Sequence, residues 1–346
     1  QKISFKDETE RLYDVLGDLH NIFSSKDLLL EILKHSEGHI TEHMVQSTIM
    51  HTAQQLRMSD DDGGVSTTLD GRSADEGTPF EARGTVDEED FALLLYLLKR
   101  KTGEIATTRG SIKRYHHLVL DEAQELAPFE LMAFAGAIHP NGNATVAGDS
   151  AQQVDASISF AGWGNVLKYL NLEDVSANEL TVSYRSPGAI VDFSHHVLGE
   201  FGPPTKPIAK KMGAPVKTSV IQHRAHGSMI LYDTLKDLSF REPKASIAII
   251  CSEMKTAREF YNELSELSNV RLIEDSEFSF KPGIDITNVE QIRGLEFDYV
   301  ILPDVDKMNY PDLPRVRRRL HLAATRAIHQ LWVLYAGEKS PLLPDS

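Results

Sequence analysis

Two adjacent carboxylates, Asp121 and Glu122, directly follow the apolar run Leu118-Val119-Leu120. This run predicts a short strand that is buried on both faces of a sheet. Pro128 then favours the start of a helix, where its missing N–H is not needed. Because α/β sheets bind ligands beyond the carboxyl ends of their parallel strands, the two acids predict a site for a nucleotide with magnesium.

Strands and helices alternate around this stretch. The apolar patterns predict strands at 117–120, 144–147, 246–251, 284–289, 298–302 and 331–335, and helices at 91–98, 128–138, 186–200, 254–267 and 315–328. Polar residues follow several of the strands at their carboxyl ends. This order is typical of an α/β fold built on parallel sheets.

The length of 346 residues indicates two or three domains. Residues 1–58 have apolar side chains at helical spacing and are predicted to form a helical insertion segment. Residues 59–90 are acidic and rich in Gly, Ser and Thr, which predicts a flexible linker, because so few apolar groups cannot offset the entropy of ordering. The predicted strands and helices lie in the two remaining parts of the chain, residues 91–180 and 181–346.

The net charge of −15 argues against broad nonspecific binding to nucleic acid. Residues 60–90 carry −9 of this charge, so the remaining chain is only mildly acidic and leaves room for a local basic groove. The single cysteine, Cys251, excludes an intramolecular disulfide. No apolar run approaches the roughly 18 residues of a membrane span, and no signal-peptide pattern is present, which predicts a cytoplasmic protein without membrane contact.

Five stretches, taken in order, resemble the helicase motifs of superfamily 1, in the UvrD/Rep family. They are Asp121-Glu122-Ala123-Gln124, Gly148-Asp149-Ser150-Ala151-Gln152, Ser183-Tyr184-Arg185-Ser186, Arg293-Gly294-Leu295-Glu296-Phe297-Asp298 and Ala324-Thr325-Arg326-Ala327. The resemblance covers residues 91–338. It implies an ATP-dependent DNA helicase or translocase with two RecA-like lobes, an incomplete first lobe at 91–180 and a second lobe at 181–346, with ATP bound between them.

Within that family, the chain looks most similar to the HelD-like branch, whose members act on RNA polymerase. About 100 residues separate Arg185 from Arg293. This interval has no room for the large extra domain that UvrD and Rep carry there. A helical segment ahead of the Asp121-Glu122 strand also suits this branch, which implies RNA polymerase as a partner besides single-stranded DNA.

The resemblance also implies roles for individual residues in phosphoryl transfer, which needs a metal-bridged phosphate, a positioned water and cations near the transferred group. Asp121 would hold Mg²⁺ and Glu122 would orient the attacking water. The other implied contacts with ATP are Gln152, Arg185 and Arg326 at the γ-phosphate, Glu296 at the sugar, Gly294 through close backbone approach, and His321 where a tyrosine is usual.

Three further residues are candidates for contacts with nucleic acid. Phe160 and Trp163 could stack on bases, but their spacing differs from that of the family, and core packing is an equal alternative. Asn288 and Glu290 stand where UvrD has a threonine and a histidine. Because Glu290 would repel phosphate, it weakens the expected grip on DNA at this position.

Ordinary structural explanations stand beside these roles. Asp121 and Glu122 could begin the next helix, where acids suit the helix dipole. Gln152 could be a turn residue, and Arg185 could be half of a surface ion pair. Arg326 could belong to a solvated basic helix face with Arg315, Arg318 and Arg319.

The sequence contains no G-x-x-x-x-G-K-[ST] phosphate loop, so this chain alone should bind ATP poorly and hydrolyse it hardly at all. Two explanations are open: a fragment of a longer protein, which Gln1 as first residue favours, or a relative without the loop. A second functional hypothesis follows. The chain would be a non-hydrolysing interaction protein that docks on RNA polymerase or another partner, with the acidic segment 60–90 as its binding arm.

Overall fold

The computed structural model describes residues 14–36, 40–55, 90–103, 106–107, 110–111, 113–153, 160, 162–172, 175, 177–274 and 277–345. The chain divides into two compact units. Unit 1 is Gln1–Gly148 with Ala161–Val175, and unit 2 is Asp149–Phe160 with Ser176–Ser346. All but the last residue of the linker predicted at 59–90 lies outside the described residues. The predicted four-part division of the chain stays a prediction.

Unit 1 contains the helices α1 (Val15–Ser24), α2 (Lys26–His35), α3 (Glu42–Gln55), α4 (Phe91–Thr102), α5 (Pro128–Ala137) and α6 (Trp163–Tyr169). Its described strands are β1 (Ala106–Thr107), β2 (Gly110–Ser111), β3 (Tyr115–Leu120) and β4 (Ile138–Val146). Strands β1 and β2 pair in antiparallel orientation, and β3 and β4 pair in parallel. The helix predicted at 91–98 is confirmed, and Gly103 ends it in a left-handed conformation with φ 83°.

Unit 2 contains the helices α7 (Gly188–Leu198), α8 (Arg224–Arg241), α9 (Met254–Leu264) and α10 (Pro314–Ala324). Its strands are β5 (Val182–Pro187), β6 (Ile208–Lys211), β7 (Lys217–Ile221), β8 (Ser246–Cys251), β9 (Val270–Leu272), β10 (Gly283–Asn288), β11 (Phe297–Leu302) and β12 (Ala327–Ala336). Among the described residues of both units, no helix has the length and apolar character needed to cross a membrane.

A six-stranded parallel sheet is the centre of unit 2, with the order β7-β12-β11-β8-β10-β9. Alternate residues of β8 face opposite sides of this sheet. Ala248 and Ile250 join a core with α7 and α10, whereas Ile247 and Ile249 join a second core with α8 and α9. Strands covered on both faces are typical of parallel sheets, and the predicted mixed α/β fold with parallel sheets is confirmed.

The strand that leads to Asp121 is more exposed than its sequence predicts. Val119 is 63% exposed and Tyr115 is 51% exposed, whereas Leu120 is buried. The prediction that residues 118–120 are buried on both faces is therefore wrong. Strand β3 pairs with β4 along one edge, and among the described residues its face that carries Val119 is open, whereas β8 has α7 and α10 on one face and α8 and α9 on the other.

The last helix ends earlier than the sequence predicts. A helix was expected over 315–328, but α10 ends at Ala324 and β12 begins at Ala327. The Thr325 hydroxyl donates to the carbonyl of Leu322 at 2.9 Å, which satisfies one of the last helical acceptors. Ala327 then pairs with Phe297 of β11. The backbone from Ala327 onward, which was predicted to be helical, therefore belongs to the sheet.

A buried carboxyl group joins the carboxyl ends of β8 and β11. Asp304 accepts from the backbone N–H of Ser252 at 3.0 Å and from its hydroxyl at 2.5 Å. Burial raises the pKa of Asp304 to about 6, against the opposing effect of these hydrogen bonds. The native state therefore binds more protons than the unfolded chain between about pH 4 and pH 6.

This shift predicts how the stability of unit 2 depends on pH. Because the folded pKa of Asp304 is raised, its contribution is favourable below pH 4 and is lost as the pH rises through 6. Relative to the native chain, Asp304→Asn should become more stable by about 2–3 kcal/mol between pH 4 and pH 7.5. Urea unfolding followed by the fluorescence of Trp332 in a Trp163→Phe background measures the difference. The exposed control Asp233→Asn should show no such trend, and a pH-independent difference for Asp304→Asn would contradict the buried charge.

Candidate functional site

Asp121 and Glu122 lie at the point where β3 gives way to a tight turn. The Ala147 amide donates to the carbonyl of Leu120 at 2.8 Å, and the Ala123 amide donates to the carbonyl of Ala147 at 3.0 Å. These bonds fix the ends of β3 and β4 side by side. Both carboxylates are exposed there, at the carboxyl edge of the parallel pair.

The acids directly precede a short 3₁₀ helix, Ala123–Glu125, in which Glu122 is the N-cap residue but its side chain makes no capping bond. The α-helix α5 starts later, at Pro128. That helix has its own acidic cap, since the Glu130 carboxylate accepts from the Ala127 amide at 2.6 Å. Neither Asp121 nor Glu122 therefore caps α5, and the side chain of Glu122 does not cap the 3₁₀ helix.

Glu122 occupies an unusual backbone conformation. Its φ of 51° and ψ of 38° lie in the left-handed region, which residues with a side chain rarely adopt. The Asp121 carboxylate accepts from the Glu122 amide at 2.9 Å, and the Glu122 carboxylate accepts from the side-chain amide of Gln124 at 2.7 Å. Strain of this kind persists only where surrounding contacts hold it, and it is frequent at functional sites.

The carboxylate of Asp121 also suits a magnesium ion. Mg²⁺ takes one or two protein carboxylates and completes its shell with water and substrate phosphate oxygens. Among the residues that the structure describes, no group of three or more acidic, histidine or cysteine side chains is arranged as a metal cage. One exposed carboxylate at a strand end fits an ion that arrives with a nucleotide and does not fit a structural metal.

Unit 2 brings together several predicted residues that are far apart in sequence. Arg185, on β5, donates to the carbonyl of Thr325 at 3.2 Å and lies 3.8 Å from the carboxylate of Glu296. Both side chains of this ion pair remain partly exposed, at 41% and 54%. The grouping of Arg185, Glu296 and the Thr325-Arg326 turn follows from the neighbouring positions of β5, β11 and β12 in unit 2.

Arg326 is buried, with 2% of its surface exposed. Its Nε donates to the carbonyl of Leu322 at 3.2 Å and its Nη1 to the carbonyl of Leu295 at 3.1 Å. Its Nη2 donates to the side-chain oxygen of Gln152. The alternative of a solvated basic helix face is therefore wrong for Arg326, whose guanidinium fork binds three separate segments of unit 2.

The four arginines of α10 have protein partners or are exposed, and three of them, Arg315, Arg318 and Arg319, belong to the predicted basic face. Arg317 pairs with Asp312 at 2.6 Å, and Arg319 pairs with Glu290 at 2.8 Å. Arg318 donates to the side chain of Gln153 at 3.3 Å, and Arg315 is exposed. The acid that the sequence suggested would repel phosphate, Glu290, is thus neutralised within unit 2.

His321 is buried between α10 and α7. Its Nδ1–H donates to the carbonyl of Ser194 at 3.1 Å. Burial lowers the pKa of His321 from its ordinary value, so the ring is neutral at neutral pH. Gly294 has a positive φ of 69° and open space where a side chain would stand, so the backbone of this turn is accessible. The roles of both residues at ATP stay predictions.

The three candidates for nucleic-acid contact differ in their surroundings. Trp163 is half-buried at the start of α6, and its ring lies against Gly148. Phe160 belongs to the other unit, so these two aromatics do not form one platform within a unit. Asn288 ends β10, and its side-chain oxygen is buried without a donor among the described residues. Base stacking by Phe160 and Trp163 stays a prediction.

The sequence does not predict the contribution of two candidate residues. Gln124, the last residue of the first motif, is buried and donates to the Glu122 carboxylate. Tyr184 is 70% exposed directly beside Arg185, so its ring is available to stack on a planar group. An aromatic residue on a surface strand next to a predicted phosphate ligand was the signal for Tyr184.

Comparison with known proteins found a family match within unit 2. Residues 283–334 match the UvrD-like helicase C-terminal domain. This match includes Asn288, Gly294, Glu296, His321 and Arg326. A solved structure of the C-terminal domain of a possible DNA helicase from Lactobacillus plantarum WCFS1 is 26% identical, with a TM-score of 0.39. The alignment covers 46% of this chain and 92% of that chain. No curated protein matches the chain.

The buried guanidinium of Arg326 leads to a test of its structural contribution. Arg326→Ala should lower the free energy of unfolding of unit 2 by about 2–4 kcal/mol, because Leu295 and Gln152 lose the guanidinium donor and the carbonyl of Leu322 keeps only the Thr325 hydroxyl. Arg326→Lys should restore only part of this loss, since an ammonium group lacks the planar fork. Urea unfolding measures both. The exposed control Arg315→Ala should stay within about 0.5 kcal/mol, and an equally small effect of Arg326→Ala would contradict the assignment.

Proposed function

We propose that this chain is part of an ATP-driven superfamily 1 DNA helicase or translocase. The observation that carries the proposal is the grouping of Arg185, Glu296 and Arg326 in unit 2, together with Gln152. The match of residues 283–334 to a UvrD-like helicase C-terminal domain supports the same class of protein. The paired acids Asp121 and Glu122 supply the complementary chemistry in unit 1.

The proposed reaction is hydrolysis of the γ-phosphate of ATP. The water oxygen bonds to the γ-phosphorus, the bond from this phosphorus to the β–γ bridging oxygen breaks, and ADP and phosphate leave. Glu122 accepts the proton of the water as general base. Its left-handed backbone and its bond from Gln124 hold the carboxylate in one orientation.

Asp121 would hold Mg²⁺, which when bound neutralises charge on the phosphates. Arg185 is available for contact with phosphate because its side chain is partly exposed and its partner Glu296 is an exposed acid. Arg326 differs, since all of its nitrogens already donate within unit 2. We infer that Arg326 acts on phosphate only after its bond to Gln152 is exchanged.

Tyr184 and Gly294 complete the proposed nucleotide contacts. The ring of Tyr184 is exposed on β5, so a planar base could stack on it. The open backbone at Gly294 precedes Glu296 by two residues, which suits contact with the sugar. His321 contributes by fixing α10 to α7 beneath this region.

A second candidate function rests on one observation in the sequence. The 346 residues contain no G-x-x-x-x-G-K-[ST] loop, which a phosphoryl-transfer enzyme of this type uses for the β- and γ-phosphates. The alternative is a non-hydrolysing protein that docks on RNA polymerase, as the HelD-like resemblance suggests. A cytoplasmic location is part of both proposals.

Hydrolysis is tested in the complete protein, as translated from its whole reading frame. Glu122→Gln should lower kcat for ATP by about 10²–10⁴-fold, because the amide cannot accept the proton. The Kd for nucleotide should change by less than about threefold, since the proposed magnesium ligand, Asp121, keeps its charge in this variant. The exposed control Glu200→Gln should behave as wild type. Unchanged turnover in Glu122→Gln would overturn the catalytic assignment.

Strand tracking is tested by the salt dependence of DNA binding. Phosphate contacts release counterions, so three contacts with single-stranded DNA should weaken binding about 20-fold for a fourfold increase in salt. Fluorescence anisotropy of a labelled oligonucleotide measures this slope. Absent or salt-independent DNA binding, combined with tight binding to RNA polymerase, would favour the docking protein over the translocase.

A further inference from the structure

Gln124 is a polar side chain at a buried position, with 1% of its surface exposed. Its amide nitrogen donates to Oε2 of Glu122 at 2.7 Å. The acceptor belongs to an exposed residue in a left-handed backbone conformation. A buried donor therefore holds one oxygen of an exposed carboxylate.

The other end of the Gln124 amide faces Gly148, at the end of β4. A methyl group on Gly148 would collide with the Gln124 side-chain oxygen and would lie 2.7 Å from the ring of Trp163. Because Gly148 has no side chain, the amide of Gln124 can approach the backbone there. The absence of a side chain at Gly148 thus leaves the space that the Gln124 amide occupies.

Closure of the turn does not need the side chain of Gln124. The amides of Glu125 and Leu126 donate to the carbonyls of Glu122 and Ala123 at 2.9 and 3.3 Å. The Ala123 amide donates across to Ala147 at 3.0 Å. These backbone hydrogen bonds close the turn. The hydrogen bond from the Gln124 side chain to the Glu122 carboxylate is not needed for closure, and its effect is to fix the rotamer of Glu122.

We propose that Gln124 is a positioning residue that sets the carboxylate of Glu122, and that Gly148 sets Gln124 in turn. This inference rests on the proposed function, in which Glu122 is the general base. The chain of contacts lies wholly within unit 1. A general base that is displaced by about 1 Å can lose about 100-fold in rate without any loss of substrate affinity.

The test uses ATP hydrolysis by the complete protein. Gln124→Leu and Gly148→Ala should each lower kcat by about 10–100-fold and leave the KM for ATP within about threefold. The same chemical change in the other unit, Gln330→Leu, should leave kcat unchanged. Wild-type kcat in both Gln124→Leu and Gly148→Ala, alongside an inactive Glu122→Gln, would overturn the inference and leave the proposed function standing.

Crystal structures of Gly148→Ala and Gln124→Leu supply a readout that does not depend on turnover. The Glu122 carboxylate should leave its wild-type position in both, by about 1 Å or more. An undisplaced carboxylate would overturn the inference whatever the rates. If Glu122→Gln has wild-type turnover, the proposed function fails, and the crystal structures still decide whether Gln124 holds Glu122.

Discussion

Unit 2 depends on the burial of one guanidinium group. Arg326 binds the end of α10 through Leu322, the turn before β11 through Leu295, and the segment after β4 through Gln152. A buried charge is tolerated only where its donors are satisfied, and here three segments supply the acceptors. The neighbouring Thr325 carbonyl then orients Arg185. The local order of the proposed phosphate ligands follows from this single cation.

The two units use hydrogen bonds for similar purposes with different residues. In unit 1, the buried amide of Gln124 donates to the strained acid Glu122 and lies against Gly148, shortly after β4. In unit 2, the buried carboxyl of Asp304 connects the ends of β8 and β11 through Ser252. In both places a buried polar group lies at the carboxyl ends of parallel strands, where α/β folds bind their ligands.

The sequence predicts well those elements whose burial is complete. Strand β8 is found at its predicted residues, because its short, isoleucine-rich apolar run is typical of a strand covered on both faces. Strand β4 begins earlier than predicted, since Pro140-Asn141-Gly142 reads as a loop, and the shift in its pairing with β3 absorbs these residues. Helix α8 was missed because small and polar residues, Gly227 and Ser228, share its buried face.

The candidate site, too, could be predicted only in part from the sequence. The types of Asp121, Arg185 and Arg326 were readable from motifs, but what each side chain contacts was not. Burial of Arg326 depends on acceptors more than 30 and 170 positions away, which no local pattern contains. The orientation of Glu122 depends on a backbone angle that is rare for its residue type, so propensity argues against it.

The ion pairs of the arginines on α10 affect the rate at which a polyanion such as nucleic acid associates with the protein. Arg317 and Arg319 each lie against an acid, so their positive charges add little to the electrostatic potential in the solvent. A strand of nucleic acid would then approach a chain with a net charge of −15, and long-range attraction would not guide it. Encounter would therefore be slow in dilute buffer and faster when ions screen the repulsion, even though the same ions weaken the complex once it has formed.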